Sequence, residues 1–290
     1  MHPLITKLAY QIAPRLLPKS AARSLQMHAE KLTLGAMSRQ SADASALRSA
    51  HETQPAEWLR TDREAEWGAL VRMIDPSRFE DRFGAVNPGD QRALYYIARA
   101  LQPKSILEVG THVAASTGML ALALRHNSAQ LSGTAPRLVT VDILDVNDPV
   151  QGSWIRVGCK QSPRDYMRAL GCDDLVTFIA SRSVDYLKSS REKFDLIFLD
   201  GDHTATTVYR EVPGALSLLN PGGVILLHDY FPDARPLWSD GEVIPGPELA
   251  VLRLRSENVP VMVKPLAALP WPTKKGTHIS SLAVMCRAVS

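Results

Sequence analysis

The chain has 290 residues, 45% hydrophobic, 22% charged and 6% aromatic, the composition of an ordinary soluble globular protein with one large core or one core plus a small appendage. No apolar run, Val224–Leu227 among them, approaches the ~20 residues needed to cross a bilayer. The net charge of +3 is uneven: the residues up to Ala42 carry +5 and the rest −2, which is not the basic body that grips a nucleic acid backbone.

Taken in chain order, the basic head comes first, with Lys7, Arg15, Lys19, Arg23, Lys31 and Arg39 against a single acid, Glu30. Two readings of it stand. One is an amphipathic helix on an anionic membrane, with Leu4, Leu8 and Ile12 on one face. The other is a helical extension packed on its own body or, in a homo-oligomer, on a partner subunit. Pro14 and Pro18 interrupt any long helix, and no continuous apolar core marks a secretory signal. Ser38–Ala50 reads as a connector. Trp67, Leu70, Val71 and Ile74 recur at helical spacing and predict a helix over Glu57–Ile74. Pro76 to Asn87 reads as a loop. Asn87-Pro88-Gly89-Asp90 supplies a capping residue and an early proline, so a helix starts there, with Leu94, Ile97, Ala98 and Leu101 as its apolar stripe.

From Ser105 short apolar runs alternate with helical stretches. Strands are expected at Ser105–Val109, Leu138–Asp142, Val176–Ala180, Phe194–Leu199 and Val224–His228. Helices are expected at Ser116–Arg125, Pro163–Leu170, Ser183–Ser189 and Thr207–Leu219. Continuous apolar strands alternating with helices indicate a parallel sheet covered on both faces. A helix near Glu248–Glu257 and strands at Pro260–Val263 and Leu282–Cys286 follow, the last two as a closing antiparallel hairpin. The expected fold is α/β: a doubly wound, mostly parallel seven-stranded sheet over residues 87–290, with residues 1–86 as an N-terminal helical extension. Cys159, Cys172 and Cys286 are odd in number and lack metal-type spacing; they read as reduced thiols of a reducing, cytoplasmic compartment.

In such sheets ligands sit beyond the carboxyl ends of the strands, where strand order reverses, so the residues just after each strand carry the chemistry. After the first strand come Glu108-Val109-Gly110-Thr111 and, five residues on, Ser116; Gly110 permits a sharp turn, and the following helix start has free N–H groups. The second and third glycines of a dinucleotide fingerprint are missing, which argues against a nicotinamide oxidoreductase. Asp142 ends the second strand, where a carboxylate accepts hydrogen bonds from vicinal ribose hydroxyls or caps the next helix. Ser183 follows the third strand, to contact an adenine edge or cap a helix. The fourth strand ends Asp200-Gly201-Asp202-His203 and the fifth His228-Asp229-Tyr230.

Across roughly Ile106–Asp233 these motifs, in this order, resemble the class I S-adenosylmethionine-dependent methyltransferases. The likeness is to small-molecule O-methyltransferases of the catechol type, and more closely to the family that groups sugar O-methyltransferases with cephalosporin-hydroxylase-like proteins. The resemblance implies S-adenosylmethionine as cofactor, held by Glu108, Gly110, Thr111, Ser116, Asp142, Ser183 and Asp200. It implies methyl transfer to a hydroxyl of a small metabolite (a sugar, polyketide or phenol), with His203 as general base. It also implies Mg²⁺ or another divalent cation on Asp200, Asp229 and His228. Tyr230 stands where the catechol type completes its metal site with an amide, and His228 where the sugar-methylating relatives carry an acid. A rival expectation is an inactive S-adenosylmethionine-binding scaffold or subunit. Aromatic residues Tyr230, Phe231, Trp238 and Trp271 are the candidates to cover the acceptor.

Overall fold

The computed structural model describes residues 10, 16–75, 78, 85–128 and 135–288. The expected membrane-facing Leu4, Leu8 and Ile12, together with Pro14 and most of the Pro76–Asn87 loop, lie outside the described residues. Among the described residues no helix is long and apolar enough to cross a membrane.

Seven strands form one sheet in the order β3-β2-β1-β4-β5-β7-β6. They are β1 (Ser105–Val109), β2 (Arg137–Asp142), β3 (Val176–Ala180), β4 (Phe194–Leu199), β5 (Leu219–Leu227), β6 (Val261–Pro265) and β7 (Ala283–Arg287). The first five are parallel, and β7 runs antiparallel to both β5 and β6, as the closing hairpin requires. The helices are α1 (Lys19–Gly35), α2 (Pro55–Trp58), α3 (Glu64–Val71), α4 (Pro88–Leu101), α5 (Ala115–Ser128), α6 (Ser153–Arg156), α7 (Pro163–Ala169), α8 (Ser183–Ser189), α9 (Ala205–Leu218) and α10 (Gly246–Ser256).

Alternation along the strands divides the core in two. Ile106, Leu138, Leu196, Phe198, Val224 and Leu226 pack with Leu94 and Ile97 of α4 and Met119 and Leu120 of α5. Leu107, Val109, Val139, Val141, Ile197, Leu199, Ile225 and Leu227 pack on the other side with Val208 and Val212 of α9, Ala250 and Leu254 of α10, and Leu34 of α1. Burial on both faces explains why these strands read as unbroken apolar runs rather than as alternating ones.

The N-terminal segment is built into this body. Along the Ser38–Ala50 connector, the Arg48 N–H donates to Gly223 O, the Ala50 N–H to Arg287 O and the Gly222 N–H to Ala46 O. These bonds engage the Asn220-Pro221-Gly222-Gly223 segment, so β5 starts at Leu219 instead of Val224. The helix expected over Glu57–Ile74 is broken: Arg60 is extended (φ −62°, ψ 141°), which separates α2 from a 3₁₀ turn and α3 and lets Trp58 and Trp67 bury independently. The start of α4 is as expected, with the Asn87 side chain accepting the Gly89 and Asp90 N–H groups at 3.1 Å.

Candidate active site

Strand order reverses between β1 and β4, and there the strand ends are stitched together. The Gly110 N–H donates to Val141 O, the Asp200 N–H to Val109 O and the His228 N–H to Leu199 O. The post-strand residues of β1, β2, β4 and β5 are thereby brought to one crevice. Gly110 has φ +98°, and a Cβ on it would lie 2.0 Å from Asp200 O; both the turn and the close approach require glycine.

Beside this point opens a cleft of about 380 Å³ lined by Gly110, His112, Asp142, Ile143, Ser183 and Asp200 among others. Asp142 is ready-made as an acceptor. Its Oδ2 accepts the His112 N–H at 2.9 Å and its Oδ1 the Leu144 N–H at 3.0 Å. Each oxygen keeps a second lone pair. No helix follows Asp142 directly; its carboxylate caps its own turn and lines the cleft. Ser183 is the first residue of α8 and lines the same cleft. Close to it is the buried carboxyl of Glu211, which burial pushes up to about 7.

Thr111 and Ser116 line a smaller adjoining pocket that shares Gly110, His112 and Asp200 with the cleft. Glu108 lines neither and is fully buried. The hydroxyls of Ser116, Thr117 and Thr140 donate to its carboxyl at 2.5–2.6 Å. Burial raises its pKa to about 7 despite those bonds. In this arrangement Glu108 braces the turn from beneath, and the Ser116 hydroxyl is engaged in that brace.

At the other end of the crevice stand two histidines and three aspartates. His203 Nε2 lies 3.3 Å from Asp229 Oδ2 and 3.7 Å from Asp200 Oδ1, with a quarter of its side chain exposed. His228 is nearly buried, its Nδ1 2.8 Å from Asp200 Oδ1 and its Nε2 3.4 Å from Asp90 Oδ2. Burial opposes charge on His228, but the neighbouring Asp200, Asp229 and Asp90 carboxylates hold its pKa well above the usual value. Burial likewise raises Asp229, but His228, His203 and the Ser281 hydroxyl outweigh it and hold that carboxyl below its ordinary range. Asp229 adopts φ +52°, a conformation uncommon outside glycine that turns the chain sharply after β5.

Asp200, Asp229 and His228 thus come together as expected, but not as a metal site. A divalent cation needs lone pairs converging on one point. Both nitrogens of His228 already face carboxylates, Nδ1 that of Asp200 and Nε2 that of Asp90, so they do not converge with Asp200 and Asp229 on one point. Among the described residues no group of three or more His, Cys, Asp or Glu side chains is arranged to hold a metal ion. The expected metal centre is therefore replaced by a closed ion-pair cluster, and these residues do not fit the cation.

Sequence reasoning missed several contributors. Asp90 was legible only as a helix-start residue, yet it is fully buried against His228. Ile143 leaves 65% of its surface exposed at the cleft, the place for an apolar plate against a flat ring; its position directly after Asp142 was the available signal. His112, with φ +47°, lines both pockets, and burial lowers its pKa, so its ring is neutral at pH 7. Of the expected covers, Trp238 packs with Phe231 and Val243 beside the site. Trp271 belongs to the core, its Nε1 donating to Gly89 O at 2.9 Å.

The fold defined by this sheet and this crevice is that of the class I methyltransferases. Residues 107–230, which span β1 to β5, match the family model described as a methyltransferase domain. Among solved structures it is similar to the O-methyltransferase TomG from Streptomyces achromogenes, involved in tomaymycin synthesis and in complex with SAM. The identity is 19%, over 82% of this chain and 100% of that one, with a TM-score of 0.53. It is also similar to the O-methyltransferase from Bacillus cereus in complex with SAH, at 18% identity over 81% of this chain and 100% of that one, TM-score 0.52. A third is the SAH-bound methyltransferase PaMTH1 of Podospora anserina, at 20% identity over 80% and 98%, TM-score 0.50. No curated protein matches the chain by sequence.

Proposed function

We propose that this chain transfers the methyl group of S-adenosylmethionine to a hydroxyl of a small metabolite, a sugar, polyketide or phenol, with His203 as general base. The observation that carries the reading is the placement of His203, backed by Asp229 and Asp200, at the rim of the cleft that Gly110 and Asp142 line. The cleft's size and lining suit a nucleoside-bearing donor: a glycine floor, a carboxylate with free lone pairs, and an apolar plate at Ile143. The relatives bound to SAM or SAH support the same reading.

When bound, the sulfonium donor supplies an electrophilic methyl group and leaves as the neutral thioether. The residues of the chain do the rest. Asp142 accepts the ribose hydroxyls and fixes the donor's long axis, and Gly110 gives the amino-acid end room against the backbone. In-line displacement needs donor and acceptor held close and aligned, which supplies much of the acceleration. With Nε2–H turned to Asp229, the free lone pair of His203 is on Nδ1, and that atom takes the acceptor's proton. The imidazolium so formed is stabilised by Asp229 and Asp200, the general pattern of a base oriented by a carboxylate. His228 holds Asp200 from behind. No step is routed through a metal.

The test is a methyl-transfer assay with isotopically labelled S-adenosylmethionine over catechols, hydroxycinnamates and methyl glycosides. We expect turnover with at least one class, and His203→Ala to lower kcat by ~10²–10⁴ with donor affinity intact. A wild-type rate in that variant removes His203 from the role. Donor binding without turnover on any acceptor supports the scaffold instead.

A further inference from the structure

The residues ahead of the methyltransferase domain reach the catalytic loop through one buried carboxylate. α1 packs against α9 and α10, burying Ala22, Ala29 and Leu34, and among these apolar positions it also buries Glu30, 3% exposed. Glu30 Oε2 accepts the Ala205 N–H at 2.9 Å, and its Oε1 accepts the Tyr10 hydroxyl. Ala205 opens α9, where N–H groups have no partner within the helix, and the N-cap residue Thr204 provides no side-chain cap. Glu30 fills that vacant role from 175 residues away in the chain. His203 stands two residues before Ala205.

α10 packs on the same loop. Gly246 packs so tightly that a Cβ on it would lie 1.9 Å from His203 O. α1 also holds the segment leading into α10: the Arg23 guanidinium donates to Gly241 O, and Lys19 Nζ to Asp240 O at 3.3 Å. One helix therefore holds both the start of α9 and the segment that leads into α10, the two elements next to His203. Burial raises the Glu30 carboxyl to about 7, a cost that an apolar residue at this position would avoid.

We propose that Glu30 is a positioning residue for His203, capping α9 from outside the domain so that the imidazole keeps its place against Asp229. The proposal rests on the reading of His203 as base. It makes the N-terminal extension part of the catalytic apparatus.

The full-length chain, labelled with ¹⁵N-histidine, tests it without need of an acceptor. Glu30→Asp keeps the carboxyl group but falls one methylene short of Ala205. We expect the ring signals of His203, assigned with His203→Gln, to shift or broaden while those of the other histidines stay. Glu30→Gln, which keeps an oxygen at the right reach, restores them. In the transfer assay on the catechol or methyl glycoside found active, Glu30→Asp lowers kcat by about tenfold to a hundredfold with the KM for S-adenosylmethionine unchanged. Tyr10→Phe, a milder variant at the edge of the contact, shifts His203 in the same direction. Unmoved His203 signals in Glu30→Asp overturn the proposal, as does a Gln variant as impaired as the Asp one, or all histidines shifting together. A His203→Ala variant at the wild-type rate overturns the base reading itself; a slow one beside unaffected Glu30 variants overturns only the capping role.

Discussion

Replacing Asp142 by alanine removes the carboxylate that the structure places at the end of β2, on the cleft wall. Its two oxygens each hold one backbone N–H, from His112 at 2.9 Å and Leu144 at 3.0 Å, and each has one lone pair left. Two vicinal hydroxyls of a bound ribose would use both. A hydrogen bond to a charged acceptor has a net worth of roughly 1.5–3 kcal/mol, and water in the truncated site recovers part of the pair, so the expected loss is about 1–3 kcal/mol. That is about 5- to 150-fold in Kd, read by titration calorimetry with S-adenosylhomocysteine. Asp142→Asn keeps one acceptor oxygen and falls between. Because the turn itself is also weakened, a cycle with the 2′-deoxy analogue of S-adenosylhomocysteine isolates the hydroxyl contacts: wild type loses affinity for the analogue, and Asp142→Ala does so much less. Unchanged affinity for S-adenosylhomocysteine in a folded Asp142→Ala protein would refute the reasoning.

Three further outcomes follow from the geometry. Gly110→Ala must place a Cβ 2.0 Å from Asp200 O at φ +98°, which strain and overpacking together make about 2–6 kcal/mol destabilising; thermal unfolding at the wild-type temperature would contradict this. Glu30, Glu108 and Glu211 are each raised by burial from 4.5 to about 7, so the folded chain keeps protons that the unfolded chain has released. Stability therefore falls as pH rises from about 4.5 to 7, by up to about 3 kcal/mol for the fully buried Glu108, and Glu108→Gln flattens the curve; a melting temperature that climbs from pH 5 to 8 would contradict it. Chelation with EDTA leaves methyl transfer intact, whereas a metal supplying several kcal/mol would show as a loss of about a hundredfold or more, restored by Mg²⁺.

The sheet was legible because each central strand is buried on both faces and so written as a continuous apolar run; β1, β3 and β4 match their expected bounds to the residue. The crevice was legible because parallel topology gathers post-strand residues, which is why Gly110, Asp142, Asp200, His203 and Asp229 meet. What sequence could not show were contacts between distant segments. Asp90 meets His228 across more than a hundred residues, and Glu30 meets Ala205 across 175. The metal expectation followed from residue types at the right strand ends, but Asp90 against Nε2 of His228 turns that ligand set into an ion-pair cluster. The break at Arg60 had no proline or glycine to announce it, because tertiary burial of Trp58 and Trp67 decided it.

The central claim is that one crevice takes the whole donor, and a crystal of the chain grown with S-adenosylhomocysteine tests it most directly. The account predicts both ribose hydroxyls on the Asp142 carboxylate, the adenine beside Ile143 and Ser183, and the thioether sulfur over Gly110 facing His203. Ligand density elsewhere on the chain, or a crevice closed by side chains with Asp142 and His203 in separate pockets, would contradict it.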